Sequence, residues 1–136
     1  MAAVALAAAL PLLSSGRPVS ARPEAADLRG TYVGGCSSRS GQALPSDLSI
    51  YAQSGRQIAA RLSIAAVYPD VVVSGVCAAN GRFTLVGRAG TGPDRVQIKL
   101  RGFFSPPLEG TPGSLSGEYL ITGARRDRGT FRLAGG

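Results

Sequence analysis

Arg29-Gly30-Thr31-Tyr32 and Arg128-Gly129-Thr130-Phe131 are near copies, set at the two ends of residues 27–136. Between them the chain alternates apolar and polar residues in eight short runs, punctuated by glycine at almost every turn. Successive side chains leave a strand on opposite faces, so a period of two marks strands with one face buried. Matching first and last runs suit strands that lie side by side and close a ring. The pattern predicts an all-β fold: a single eight-stranded antiparallel up-and-down meander barrel over 28–136. A two-sheet β-sandwich is the alternative, since it leaves the same faces inward.

The runs can be followed from one end to the other. Tyr32, Gly34 and Cys36 share a face in the first, and Leu48 and Ile50 oppose Ser49, Tyr51 and Gln53 in the second. The third is the cleanest, with Ile58, Ala60, Leu62 and Ile64 against Gln57, Arg61 and Ser63. Val71, Val73, Gly75 and Cys77 follow, then Phe83 and Leu85, then Val96, Ile98 and Leu100. The seventh sets Leu115, Gly117, Tyr119 and Ile121 inward; the eighth sets Phe131 and Leu133 against Thr130 and Arg132. Asn80-Gly81 reads as a two-residue hairpin and Ser54-Gly55 as a second tight turn. Tyr68-Pro69-Asp70 and Gly92-Pro93-Asp94 place proline where no ladder donor is required. Longer joins are expected at 37–47, 105–114 and 123–128. Across the second of these, Arg101 and Glu118 should face each other on the outer wall.

The first 21 residues obey another rule. Ala2 to Leu13 is an apolar run too short to span a bilayer, and Val19-Ser20-Ala21 offers the small residues that signal peptidase accepts. Residues 1–21 are therefore expected to be a signal peptide cut after Ala21, with 22–27 a linker, and the domain to be secreted or periplasmic. That compartment permits a disulfide between Cys36 and Cys77, the two cysteines of the chain, with free thiols as the alternative. The same pair is a poor metal or redox centre, because there is no CxxC spacing and no histidine.

Chemistry is sparse. Without histidine there is no ordinary Ser-His-Asp or Cys-His arrangement. The eight acidic residues stand mostly singly in turns, which is the habit of solvated turn formers. No phosphate-binding glycine loop occurs. The expectation is no enzyme, no metal and no cofactor. A net charge of +7 invites a nucleic-acid reading. Yet the basic residues are spread over rim and wall without stacking aromatics, so no specific nucleic acid is expected, only weak attraction to anionic surfaces.

Gly30-Thr31-Tyr32, Gln53-Ser54-Gly55 and Gly129-Thr130-Phe131, spread over nearly the whole domain, resemble the calycin superfamily of lipocalin- and avidin-shaped barrels. They resemble more closely the small exported bacterial barrels built on an opening Gly-Thr-aromatic strand. The resemblance implies a barrel and a lumen, with Tyr32 and Arg132 in the parts of the lipocalin aromatic and the basic residue laid across it. The chain has no tryptophan, so an avidin-like biotin site is not implied.

Two functions follow as expectations. One is an exported, non-enzymatic binding domain that holds a small apolar or amphipathic ligand in its lumen, lined by Tyr32, Phe83, Phe104, Tyr119 and Phe131. The other is a protein-interaction or protease-inhibitor-like module that meets an envelope protein through its loops.

Overall fold

The computed structural model describes residues 26–65 and 67–135; the expected signal peptide and the linker up to residue 25 lie outside the described residues. Eight strands run in chain order: β1 (Gly30–Ser38), β2 (Ala43–Ser54), β3 (Gln57–Ile64), β4 (Tyr68–Cys77), β5 (Arg82–Ala89), β6 (Val96–Ser105), β7 (Ser114–Gly123) and β8 (Asp127–Gly135). Each is hydrogen-bonded to the next, and β8 returns to β1, so the sheet is a closed barrel. The seam runs from Tyr32 opposite Gly135 to Ser38 opposite Gly129. Every strand therefore has two partners, which a two-sheet sandwich does not provide.

The alternation in the sequence is the alternation in burial. In β3 the pattern is strict: Ile58, Ala60, Leu62 and Ile64 are buried, while Gln57 and Arg61 are exposed. The inward residues of all eight strands form one apolar core. Its phase breaks at the start of β4, where the pairing with β3 slips between Leu62 and Ile64, and at Tyr51. The register with β3 slips between Ile50 and Ala52, so Tyr51 is an extra residue and bulges outward. A bulge of this kind exchanges the two faces of the strand beyond it. Gln53, outward by simple alternation, is thereby turned toward the end where the chain enters.

There Gln53 fixes a cork. Its Oε1 accepts from the Leu28 amide at 2.8 Å, and its Nε2 donates to the Ala26 carbonyl at 2.6 Å. Tyr32 donates its hydroxyl to the Leu28 carbonyl at 2.7 Å. Leu28, held from both sides, is fully buried beneath the barrel. The opposite end is a rim of loops, 39–42, 90–95 and 124–126 among them.

Several boundaries differ from expectation. The tight two-residue turn is Gly55-Arg56, closed by Ser54 opposite Gln57. Asn80-Gly81 instead ends a three-residue loop. Gly81 (φ +93°) donates its amide to the Ala78 carbonyl, and Ala78 donates its own to Arg82. This is a turn followed by a left-handed glycine rather than a primed two-residue turn. The expected join 37–47 shrinks to 39–42, because β2 begins at Ala43 and accommodates Pro45 opposite Gly35. Tyr68, Pro69 and Asp70 open β4 rather than forming a turn.

The expected disulfide is not formed: Cys36 and Cys77 are both buried free thiols. Cys36 lies toward the rim end of β1, with the Ser46 hydroxyl 3.2 Å from its sulfur. Cys77 is the last residue of β4, at the corked end beside Gln53. Two strands lie between them and they face opposite mouths, beyond the reach a disulfide needs. Burial raises both thiol pKa values, so each behaves as a small apolar side chain.

Candidate functional site

The five aromatic residues expected to line the lumen do point inward, and none is more than 5 % exposed. Four of them meet in pairs. Tyr32 and Phe104 stand edge to face with centroids 6.4 Å apart, and Phe83 and Phe131 lie tilted at 6.2 Å. Inward glycines make room for these rings. A Cβ added to Gly102 would lie 2.9 Å from the Phe131 ring and 3.0 Å from Phe83, besides striking the Ser116 carbonyl. At Gly102 and Gly129 the gap is occupied by aromatic carbon, whereas at Gly34, Gly75 and Gly117 the neighbouring strand's backbone takes it. Arg132 does not cross Tyr32: it is exposed, opposite Gly35 and Ser116 in the ladder.

Tyr119 stands apart, near the rim. Its hydroxyl donates to Asp127 at 3.1 Å, and Ser38 donates to the other oxygen of the same carboxylate at 2.8 Å. Burial, reinforced by that hydrogen bond to a carboxylate, pushes the Tyr119 pKa up to about 12. Beside this network is a pocket of about 20 Å³ bordered by Cys36, Tyr68, Tyr119, Ile121, Arg125 and Asp127. That is space for one water molecule. Among the described residues, the buried hydroxyl of Tyr68 has no hydrogen-bond partner. Among the residues of this mouth, periodicity had marked only Tyr119, Cys36 and Ile121. Asp127 falls within the expected join 123–128 and Tyr68 within an expected turn, so neither is marked as inward by the sequence.

The outer wall is divided. Strands β1–β4 carry three charged residues, Asp47, Arg61 and Asp70, of which the last two pair at 3.1 Å. Strands β5–β8 carry Arg82, Arg88, Lys99, Arg101, Arg128 and Arg132 against Glu118 and Asp127. Asp127 is engaged by Ser38 and Tyr119 at the mouth, which leaves Glu118 as the carboxylate of that wall. A groove of about 520 Å³ crosses β6, β7 and β8 here, bordered by Arg39, Lys99, Arg101, Glu118, Leu120 and Arg128. Arg39 joins it because its amide donates to the Arg128 carbonyl at 2.9 Å.

Arg101 and Glu118 are cross-strand partners, as are Lys99 and Leu120. Among the described residues, however, the ion pairs are Arg29–Asp27 and Arg61–Asp70; Glu118 is not in one. No protein-family model, curated protein or solved structure matches the chain.

Proposed function

We propose that this is an exported, non-catalytic binding domain whose recognition surface is the outer wall of the barrel, with a protein of the cell envelope as its partner. The observation that carries this reading is the contrast between inside and outside. The space beside Tyr119 holds about 20 Å³, while the roomier hollows, about 520 Å³ over β6–β8 and about 570 Å³ at the rim beside Tyr68, Arg88 and Arg125, open to the outside. Small-molecule sites of drug-sized ligands occupy roughly 300–1,000 Å³. A lumen whose rings already touch would have to expel side chains to admit such a ligand. The likeness to calycin barrels supports the shape, residues 1–21 read as a signal peptide support the export, and the recognition chemistry is left to the residues of this wall.

Native mass spectrometry of the protein recovered from its own compartment tests the reading. The expected result is the bare mass of the chain cut after Ala21. A retained small apolar molecule, displaced by denaturant, would overturn it in favour of the lumen.

A further inference from the structure

We infer that the wall of β6–β8 docks an acidic, extended segment of a partner protein, in which one basic residue stands among the carboxylates. Lys99, Arg101, Arg128 and Arg39 take the carboxylates, and Glu118 takes the basic residue. The inference rests on the exterior reading above and adds the site and the chemistry of the partner.

Folding does not explain these charges. The outer wall of β1–β4 folds with Thr31, Ser37, Ser49, Ser63 and Ser74 beside exposed Val33, Tyr51, Val72 and Val76, without a comparable gathering of charge. Like charges gathered on neighbouring strands weaken a sheet. Closure of the barrel also leaves no free strand edge, so a partner cannot add a strand and must be read by side chains.

The spacing suits an extended chain. Lys99 and Arg101 are two residues apart on one face of β6, about 6.8 Å along the strand, which is also the repeat of alternate side chains in an extended peptide. Guanidinium forks match carboxylates in bidentate geometry. Leu120 within the groove and Phe103 below it are each 43 % exposed, offering apolar contact to a polypeptide's intervening side chains. Glu118 decides between partner classes. Seated between Arg101 on β6 and Thr130 on β8, it opposes an anionic group laid directly over it, and so counts against a uniformly anionic polymer along the groove. A segment with a basic residue at that point relieves the repulsion.

The test uses two short synthetic peptides, one alternating glutamate and serine, the other identical but with a central lysine for glutamate. Polyphosphate and vesicles of equal parts phosphatidylglycerol and phosphatidylcholine serve as other anions. Binding is titrated at low and at physiological salt. The lysine-bearing peptide is expected to bind best, and Glu118→Gln to abolish its advantage. Arg101→Glu with Arg128→Glu should weaken binding by about tenfold or more. Arg125→Glu with Arg126→Glu, which changes net charge equally at the rim, should weaken it less than about twofold. Arg101→Gln with Arg128→Gln, a milder change, guards against misfolding of the reversed variant, and thermal melts verify each fold. Equal losses from wall and rim reversals would overturn the site. So would tighter binding of polyphosphate or vesicles, or a lysine preference that survives Glu118→Gln. A ligand found in the lumen overturns the exterior reading through a different measurement, so the two failures are distinguishable.

Discussion

The first four strands and the last four obey the same rule and obey it differently. Inside, β2–β4 contribute aliphatic side chains: Leu48, Ile50, Ile58, Leu62, Ile64, Val71 and Val73. Strands β5–β8 supply four of the five lumen rings, Phe83, Phe104, Tyr119 and Phe131, together with inward glycines such as Gly102 and Gly129. Outside, the first half is nearly neutral and the second is crowded with arginine. One half is thus what a barrel needs in order to fold. The other carries charge that folding does not ask for, on a wall stiffened from within by aromatic packing.

The sharpest way to break that contrast is from the inside. Phe131→Ala should cost about 3–5 kcal/mol, because its ring fills the space over Gly102 and leans on Phe83. Ile58→Val in the aliphatic half should cost about 0.5–1.5 kcal/mol. Urea unfolding measures both, and a loss below about 1.5 kcal/mol for Phe131→Ala would mean that the aromatic half is not a packed half. Gly102→Ala comes next, at about 1–3 kcal/mol, since the added carbon strikes the Ser116 carbonyl and both rings.

Smaller still is a pH effect confined to β7 and its neighbours. Tyr119 ionises near 10.0 when unfolded and near 12 when folded. Between those values the unfolded chain holds fewer protons, so stability falls as pH rises through the window. Tyr119→Phe should flatten the slope of the urea midpoint between pH 10 and 12. The buried thiols, also raised, lose stability with rising pH in the same direction. A Tyr119→Phe slope as steep as that of the parent would show that this hydroxyl is not shielded.

The smallest predicted effects differ in sign. Arg128→Gln should stabilise by a few tenths of a kcal/mol, because it thins a field of like charge. Arg61→Gln should destabilise by a similar amount, because it removes the exposed partner of Asp70. Thermal melts at low salt resolve the two, and shifts in the same direction would dissolve the electrostatic division between the halves.

Much of this was legible in the residues. Strand number, order and phase follow from period two, and closure from the paired Arg-Gly-Thr-aromatic ends. The bulge at Tyr51 was not legible, since an extra residue leaves the hydrophobic pattern of Leu48 and Ile50 intact and alters only what comes after. Gln53 and its grip on Leu28 were hidden with it. The cysteine pairing misled because compartment chemistry allows a bond that geometry forbids. The division of charge between the halves was blurred in the sequence, where rim and wall arginines are interleaved and only the three-dimensional ladder separates them. What fills the gap at an inward glycine, a ring at Gly102 or the next strand's backbone at Gly34, comes from a neighbouring strand, and no local pattern reveals it.

Seven of the eight strand pairings join neighbours in the chain, and the eighth joins segments roughly a hundred residues apart. That makes the β1–β8 seam a clasp. Of the eight pairings it closes the longest loop, and so carries the largest closure entropy. While it is open, two strand edges and one apolar face are bare at once, the combination that lets chains pair with one another. An opened seam is thus the state of this barrel from which chain-to-chain strand pairing would start.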